Sequence, residues 1–77
     1  MRKRDVKFRN LTAEMGRANI SISELANKMN ISTQILYKKL DGTSQFLYKD
    51  IVSIKKILED SNQINYTLDY LFMEYDN

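Results

Sequence analysis

The chain lacks cysteine, histidine, proline and tryptophan altogether, and it contains only two glycines. Without cysteine, neither a disulfide nor a thiolate metal site can stabilise the fold. Without histidine, the commonest general base and the commonest metal ligand are both missing. A chain with no proline and little glycine is poorly suited to β-turns and well suited to short helices. We therefore expect an all-α fold whose core is held together by side-chain packing alone.

The acidic side chains are scattered along the sequence, and no glycine-rich phosphate-binding loop is present. Together with the missing histidine and cysteine, this leaves no set of residues in which a nucleophile, a base and an oxyanion donor could be assigned. We expect the protein not to be an enzyme, with no catalytic residues, no metal site, no cofactor and no small-molecule ligand.

Long apolar runs are also absent, so no segment is expected to span a bilayer. The basic residues 1–4 are not followed by an apolar stretch, which argues against a signal peptide. We expect a cytoplasmic protein with no membrane partner. The length of 77 residues predicts a single domain, residues 1–77. A domain of this size buries only roughly 60% of its unfolded surface, so its core must be efficient.

The net charge of +2 hides an uneven distribution along the chain. Residues 1–56 carry all 12 basic residues and five acidic ones, a formal charge of +7, whereas residues 57–77 carry five acidic residues and no basic one, a charge of −5. One interpretation is a surface for a polyanion, with a second, acidic surface turned away from it. The other is ordinary variation in a small protein.

Apolar residues at Phe8, Leu11, Met15 and Ala18 recur in steps of three and four, as on one face of an amphipathic helix. They predict a first helix over about residues 6–18. Gly16 lies inside it, where glycine costs roughly 1 kcal/mol relative to alanine. It either permits the close approach of another helix or loosens the helix end.

The second half of the chain predicts two further helices. Residues 51–58 repeat the helical spacing, and residues 60–65 predict a polar loop. Residues 66–75 predict a last short helix. Phe46, which follows a polar loop, is expected to anchor in the core.

Residues 21–42 contain two short helical patterns, each opened by a serine. Ser21 and Glu24 have the spacing of a capping box, in which each side chain accepts from the other residue's backbone N–H. Asn30 can adopt the left-handed conformation that ends a helix, and Ser32 can cap the next one. Two helices joined by so short a turn must cross steeply. This is the helix-turn-helix geometry, in which the second helix can enter the DNA major groove.

The second of these helices is predicted over residues 33–40, with Gly42 in a left-handed conformation just beyond its end. At 100° per residue, Leu36 and Leu40 share its inward face. The residues that point away from the core or lie at its border are Thr33, Gln34, Tyr37 and Lys38.

Several short motifs occur in the order and spacing of a known family. They are Leu25-Ala26, Ile31-Ser32, Leu36, Gly42 and Leu68-Asp69-Tyr70-Leu71-Phe72. Through them the chain resembles the small phage-repressor-type (Cro/cI-like, lambda-repressor-like) helix-turn-helix regulators of prophages and mobile elements. Residues 36–42, followed by Phe46, are similar to the "LSRKLNG…F" pattern of one subgroup. The resemblance implies a five-helix, lambda-repressor-like DNA-binding domain with its helix-turn-helix at about residues 21–42.

The chain departs from this family pattern at four places. Asn30 replaces the usual turn glycine, and Ile22 stands where a phosphate-contacting glutamine is frequent. Lys39 replaces an apolar residue, and Leu40 is expected to take over its packing. Leu47 replaces the polar cap expected before the fourth helix.

The resemblance implies that the recognition helix, residues 33–40, enters the major groove. Gln34 could pair bidentately with adenine, and Lys38 could bond guanine or a phosphate. Tyr37 could contact a thymine methyl or a phosphate, and Thr33 could do either. For Gln34 and Lys38 the alternative is a solvated surface position, and for Tyr37 it is half-burial against the fourth helix. The residues expected at the DNA backbone are Ser23, Ser32, Ser44 and Gln45.

The two ends of the chain suggest additional contacts. The basic opening could be an arm along the DNA or a solvated tail; it consists of Arg2, Lys3, Arg4, Lys7 and Arg9. The other end has more aromatic residues than a short terminal helix needs inward, which predicts a homodimer through the C-terminal region; these are Tyr66, Tyr70, Phe72 and Tyr75, with Met73 beside them.

The expected function is therefore sequence-specific binding of double-stranded DNA by a small transcriptional regulator, most simply a repressor. The alternative is a protein-interaction module that retains the helix-turn-helix fold, such as an antirepressor or an antitoxin-like partner. The missing glutamine at Ile22 and the acidic end of the chain favour this alternative.

Overall fold

A computed structural model describes residues 7–74, and these residues form five α-helices and no β-strand. The helices are α1 (Arg9–Ala18), α2 (Ile22–Lys28), α3 (Thr33–Leu40), α4 (Tyr48–Asn62) and α5 (Leu68–Leu71). The predicted all-α class with five helices is confirmed. No helix in this part of the chain has the length and the apolar character that crossing a membrane requires.

All five helices contribute to one hydrophobic core. Helices α1, α4 and α5 pack against one another, and α2 packs against α3. The largest side chains that are fully withdrawn from solvent come from every helix; they are Leu11, Leu25, Leu36, Ile54, Leu58 and Leu71. The pair formed by α2 and α3 is thus attached to the rest of the domain through its own buried leucines.

Three phenylalanine rings join distant parts of the chain. Phe8, Phe46 and Phe72 meet edge to face, with ring centroids 5.1–6.3 Å apart. This geometry places the electropositive ring edge against the electronegative face of a neighbour. The cluster connects the start of α1, the loop before α4 and the end of α5, and it confirms the prediction that Phe46 is a core anchor.

Helix α1 begins at Arg9, so the prediction of a start near residue 6 was wrong within the described chain. Phe8 is the residue before the helix and has a non-helical backbone (φ −112°, ψ 71°). Because Phe8 turns its ring into the aromatic cluster, its spacing resembles a helical stripe although its backbone is not helical. Val6, at the predicted start, lies outside the described residues.

The boundary between α4 and α5 also differs from the prediction. Residues 60–62 belong to α4, although they were predicted as loop. The Asn62 side chain donates hydrogen bonds to the Glu14 carbonyl (3.2 Å) and the Tyr66 hydroxyl (2.9 Å). These contacts hold the last turn of α4 against α1, so the helix extends through a polar stretch of sequence. Helix α5 has only four residues, and it starts at Leu68 because Thr67 caps it by accepting from the Tyr70 N–H. Tyr75, at the predicted end, lies outside the described residues.

Left-handed residues end several helices of this glycine-poor chain. Asn19, Asn30 and Gln63 have φ values of 57–61°, and asparagine tolerates this conformation better than other non-glycine residues. At Gly16, by contrast, an added Cβ would meet no atom within 4 Å. The interpretation that Gly16 admits a neighbouring helix is therefore wrong.

Candidate nucleic-acid interface

The segment from α2 to α3 begins with two serine caps. The Ser21 hydroxyl accepts from the Glu24 N–H (3.1 Å) while the Glu24 carboxylate accepts from the Ser21 N–H (2.9 Å), which confirms the predicted capping box. The Ser32 hydroxyl accepts from the Ile35 N–H (3.1 Å) and caps α3. Each bond satisfies a backbone donor that a helix start would leave unpaired.

The turn between α2 and α3 is closed by backbone bonds. Asn30 adopts the predicted left-handed conformation, with φ 61°. The Ile31 N–H donates to the Ala26 carbonyl (3.0 Å), and the Ile31 side chain packs against the core. The turn is thus anchored from both sides, which fixes where α3 starts.

Helix α3 has one buried and one exposed face, as predicted. Leu36 is fully buried and Leu40 partly so, while Gln34 and Lys38 are exposed. Tyr37 keeps about half its surface (49%) in solvent, which agrees both with contact to DNA and with half-burial against the fold. The outward side chains have no core role, and they remain available to a partner.

Ile35 was missed by the sequence reasoning. It lies on α3 between Gln34 and Leu36, and 47% of its surface is exposed. Its position 100° from Leu36 on the helical wheel was the available signal. An apolar side chain is therefore part of the exposed surface of this helix.

The loop after α3 is held against the helix end. The Asp41 carboxylate accepts from the Thr43 N–H (2.9 Å) and thereby stabilises the turn. The Ser44 N–H donates to the Lys38 carbonyl (3.0 Å). Gly42 has φ 90°, and a Cβ there would lie 2.8 Å from the Lys7 side chain. The backbone conformation therefore requires glycine at this position, whereas the flexible end of the Lys7 side chain could move aside.

Lys39 behaves differently from the expectation. Its side chain is buried (9% of the residue exposed), and its Nζ lies 3.0 Å from the Asp50 carboxylate and 3.1 Å from the Gln45 carbonyl. Leu40, which was expected to take over the packing, is only partly buried. Leu40 does pack against the core, but Lys39 is buried beside it, because a lysine stem can pack like an apolar residue when its ammonium finds a partner.

Asp50 also explains how α4 starts without a polar cap residue at Leu47. Its Oδ2 accepts from the Leu47 N–H (2.9 Å), so the cap comes from the third residue of the helix instead. Burial raises the pKa of the Asp50 carboxyl, but the Leu47 N–H and the Lys39 ammonium together outweigh it and leave the pKa below its usual value.

The candidate DNA-contacting residues fall into three places. Thr33, Gln34, Tyr37 and Lys38 follow one another along α3. A shallow groove between the starts of α2 and α3 is lined by Ser23, Ser32 and Thr33, together with Glu24. A second groove is lined by Ser44 and Gln45, together with Lys7 and Glu74.

The part of the first groove around Ser23 does not favour an anion. Glu24 lines it beside Ser23, and its capping bond to Ser21 lowers the pKa of its carboxyl, so the charge persists to lower pH. A phosphate bound there would therefore lie near a negative charge. Ser23 has the least structural support among the candidate residues, whereas Ser32 and Thr33 lie at the start of α3, where backbone N–H groups favour an anion.

The charge division seen along the sequence is not maintained in space. Lys7 pairs with Glu74 (2.9 Å), and Lys55 pairs with Glu59 (2.9 Å), so acidic residues of the C-terminal part lie beside basic ones. Of the predicted basic arm, residues 2–4 lie outside the described residues. Among residues 7–74, the lysines that form no salt bridge are Lys28, Lys38, Lys49 and Lys56. Lys38 is the one on the outward face of α3.

The C-terminal tyrosines are tied to a buried carboxylate. Glu14 is only 4% exposed and accepts from the Tyr66 hydroxyl, the Tyr70 hydroxyl (2.9 Å) and Arg17 Nε (2.9 Å). Burial raises the pKa of Glu14, but these hydrogen bonds outweigh it and lower the pKa overall. The tyrosine rings lie parallel, with centroids 6.2 Å apart. These hydroxyls are therefore engaged within the fold.

Apart from Ile35 and Tyr37 on α3, two regions of residues 7–74 expose large apolar side chains. One is in the predicted dimer region and consists of Ile64, Leu68, Tyr70 and Met73. The other was not predicted; it lies at the start of α4 and consists of Leu47, Tyr48 and Val52, with Tyr48 76% exposed. No three acidic side chains within residues 7–74 come together as metal ligands would.

The chain was compared with protein families, curated proteins and solved structures. No family model matches the chain, and neither a curated protein nor a solved structure matches it.

Proposed function

We propose that this protein is a sequence-specific regulator, most simply a repressor, that binds double-stranded DNA with α3 in the major groove. The observation that supports it most is the two-sided character of α3. Leu36 is fully buried, while Gln34 and Lys38 project into solvent from a helix that is capped at its start and bonded at its end. A lambda-repressor-like arrangement of the five helices is part of this proposal.

Each outward side chain has a chemical role in this proposal. Gln34 reads adenine through its amide, and Lys38 bonds guanine or a phosphate. The exposed Ile35 and the ring of Tyr37 can contact a thymine methyl group. Ser32, Ser44 and Gln45 contact the DNA backbone and fix the register. Lys38 suits an anionic partner because no carboxylate of residues 7–74 forms a salt bridge with it.

A homodimer would present two copies of α3 to a nearly palindromic site, with half-sites about one helical turn apart. We place its interface at the exposed apolar side chains of the C-terminal region, Leu68 and Met73 among them. Because Tyr66 is buried and the Tyr70 hydroxyl binds Glu14, the interface uses the exposed part of the Tyr70 ring and the aliphatic groups. A protein that stays monomeric in sedimentation equilibrium, both free and on DNA, would contradict this part of the proposal.

The decisive experiment is selection of DNA from a random pool, followed by a salt titration on the enriched sequence. A DNA reader yields a half-site motif, and its affinity falls steeply as salt displaces it from the phosphates. On that sequence, Gln34→Ala should cost roughly 1–3 kcal/mol and relax one base position. If folded protein at low salt enriches no motif, the proposal is rejected.

Lys38→Ala separates base contact from phosphate contact. If Lys38 reads guanine, the variant loses preference at one position; if it binds a phosphate, all sequences weaken alike and the salt slope falls by about one. Lys56→Ala is the matched control, because Lys56 is also an exposed helical lysine without a salt bridge among the described residues. Its affinity should stay near that of the wild type.

The alternative function, a protein-interaction module with a retained helix-turn-helix fold, is favoured by one observation. The start of α4 exposes Leu47, Tyr48 and Val52, an apolar surface that DNA binding by α3 does not use. Failure to enrich DNA, combined with a loss of partner binding in Tyr48→Ser, would support this alternative.

A further inference from the structure

Two adjacent lysines of α3 have opposite surroundings. Lys38 is exposed and forms no salt bridge with any of residues 7–74, whereas Lys39 is buried against the loop and α4. Both are cations of the same helix turn. The structure separates them, so the charge of Lys39 requires another explanation.

The ammonium of Lys39 is shared by two elements. It donates to Asp50 Oδ2 (3.0 Å) at the first turn of α4 and to the Gln45 carbonyl (3.1 Å) in the loop. The same Asp50 oxygen accepts from the Leu47 N–H (2.9 Å). One buried lysine therefore connects the last turn of α3, the loop and the start of α4.

A buried ion pair is not needed for stability alone, because well-packed apolar residues often serve as well or better. An ion pair with directed hydrogen bonds does restrict the arrangement more than an apolar contact does, because each bond constrains a distance and an angle. Here the constrained atom is the backbone oxygen of Gln45. Its neighbour Ser44 is bonded to the Lys38 carbonyl (3.0 Å), so the loop is fixed to α3 at both residues.

We propose that Lys39 is a positioning residue that does not touch DNA. Its ammonium, oriented by Asp50, holds the loop that bears Ser44 and Gln45 at a set distance from the outward face of α3. Helix and loop then meet the same DNA duplex together, without reordering on binding. This inference rests on the proposed DNA-binding function.

The test is the double variant Lys39→Met/Asp50→Asn, measured on the DNA sequence selected by the wild type. The substitutions keep the net charge; asparagine has the shape of aspartate, and methionine is one atom shorter than lysine but fills the place of its stem. The introduced amide oxygen can still accept from the Leu47 N–H, but the Gln45 carbonyl loses its donor. We expect a folded protein by circular dichroism whose affinity is at least tenfold weaker. The slope of affinity against salt should be unchanged, because the loop contacts that are lost are uncharged and no cation is removed from a phosphate.

The matched control is Lys56→Met/Asp60→Asn, which removes the same two charges from exposed positions of α4. Its affinity should stay within twofold of the wild type. A purely structural role for Lys39 predicts that the folded Lys39→Met/Asp50→Asn variant also binds within twofold, and that result would overturn the inference. A salt slope reduced by about one would also overturn it, since Lys39 would then contact a phosphate itself.

Lys39→Arg provides a second, independent measurement that does not depend on the double variant folding. It keeps the charge and its ability to pair with Asp50, but the longer planar group displaces the loop. We expect at least a fivefold loss of affinity with an unchanged salt slope, and wild-type affinity would overturn the inference. If the wild type itself binds no DNA, the proposed function fails; if the wild type binds and both variants bind equally well, only this inference fails.

Discussion

Two carboxylates are buried in the described part of the chain, and they are satisfied in different ways. Glu14, which joins α1 to the C-terminal region, accepts from two tyrosine hydroxyls and from an arginine whose side chain is 60% exposed. Asp50, which joins α4 to α3, accepts from a backbone N–H and from the buried ammonium of Lys39. One site has mainly neutral partners, and the other contains a second buried charge.

The two sites differ in whether the hydrogen-bond partners can reach water once the carboxylate is removed. Tyr70 and Arg17 are partly in solvent, so both can bind water instead of Glu14. Lys39 is 9% exposed, and it cannot hydrate its ammonium without leaving its place on α3. A buried polar group destabilises the folded state mainly when its partner is lost and water cannot reach it. The Asp50 site should therefore be the more sensitive of the two.

The largest effect is expected from Asp50→Ala. It leaves the Lys39 ammonium unpaired and removes the cap of α4, so it should lower the free energy of unfolding by about 3–5 kcal/mol. Urea unfolding followed by circular dichroism measures this. Lys39→Met/Asp50→Asn is the control, and it should lose less than half as much because no charge remains. A loss below about 1 kcal/mol in Asp50→Ala would show that Lys39 reaches solvent unaided.

Glu14→Ala should have the next largest effect, roughly 2–3 kcal/mol, because a buried hydrogen-bonded acceptor and its packing are lost while the partners are neutral or hydrated. The same unfolding measurement applies. As a control, Arg17→Met keeps the aliphatic stem and should remain close to the wild type, since the Arg17 side chain is mostly exposed. The comparison of the two sites breaks down if Glu14→Ala destabilises the protein more than Asp50→Ala.

Acid should destabilise the protein through both carboxylate sites. The pKa values of both Glu14 and Asp50 are lowered by folding, so their stabilisation is present above the unfolded values near 4.5 and 3.8 and is lost as the pH falls through the folded ones. The effect should be smaller than either substitution, because protonation leaves the side chains in place. Thermal unfolding across an acid pH series measures it.

On the alkaline side the Glu14 site should respond through its two tyrosines. Burial, and then the hydrogen bond to Glu14, raises the pKa of Tyr66, and the hydrogen bond to Glu14, followed by burial, raises that of Tyr70. Stability that depends on these neutral phenols is complete below pH 10 and is lost as the pH rises through the raised pKa values. Asp50→Ala should keep this alkaline loss, and Glu14→Ala should reduce it. Equal alkaline profiles in the two variants would contradict the assignment.

The smallest effect is expected from Gly16→Ala, which alters α1 without touching either carboxylate. An added Cβ meets no atom within 4 Å, and Gly16 lies in the helix. The substitution should raise the free energy of unfolding by about 0.4–1 kcal/mol, because alanine restricts the unfolded chain. It should do so equally in the wild type and in both carboxylate variants. A destabilised Gly16→Ala would mean that α1 needs flexibility at this position.

The helix boundaries set by local chemistry could be predicted from the sequence. Ser21 and Glu24 cap each other, Ser32 caps α3, and Gly42 takes the left-handed conformation, because the partners in these motifs lie within a few residues of one another. The inward position of Leu36 and the outward position of Lys38 also followed from helical periodicity. The two faces of α3, and with them the position of the candidate site, therefore follow from the sequence alone.

The contacts that bridge the chain could not be predicted in the same way. Glu14 meets tyrosines 52 and 56 positions away, and Lys39 turns inward to Asp50 although its neighbour Lys38 faces solvent. A charged residue reads as exposed in a sequence because burial without a partner is unfavourable. Whether a partner is present is decided by packing between helices, which no local motif reports.

For this protein, the sequence by itself determined the all-α class, the caps of α2 and α3, and the two faces of α3, because each depends on backbone geometry and on neighbours within one helical turn. Only the tertiary structure decided the early end of α5, the exposed apolar start of α4, and the two buried carboxylate sites. These depend on which surfaces meet when the helices pack. The free energy of burying a charge is set by those surfaces and not by the residue that carries it.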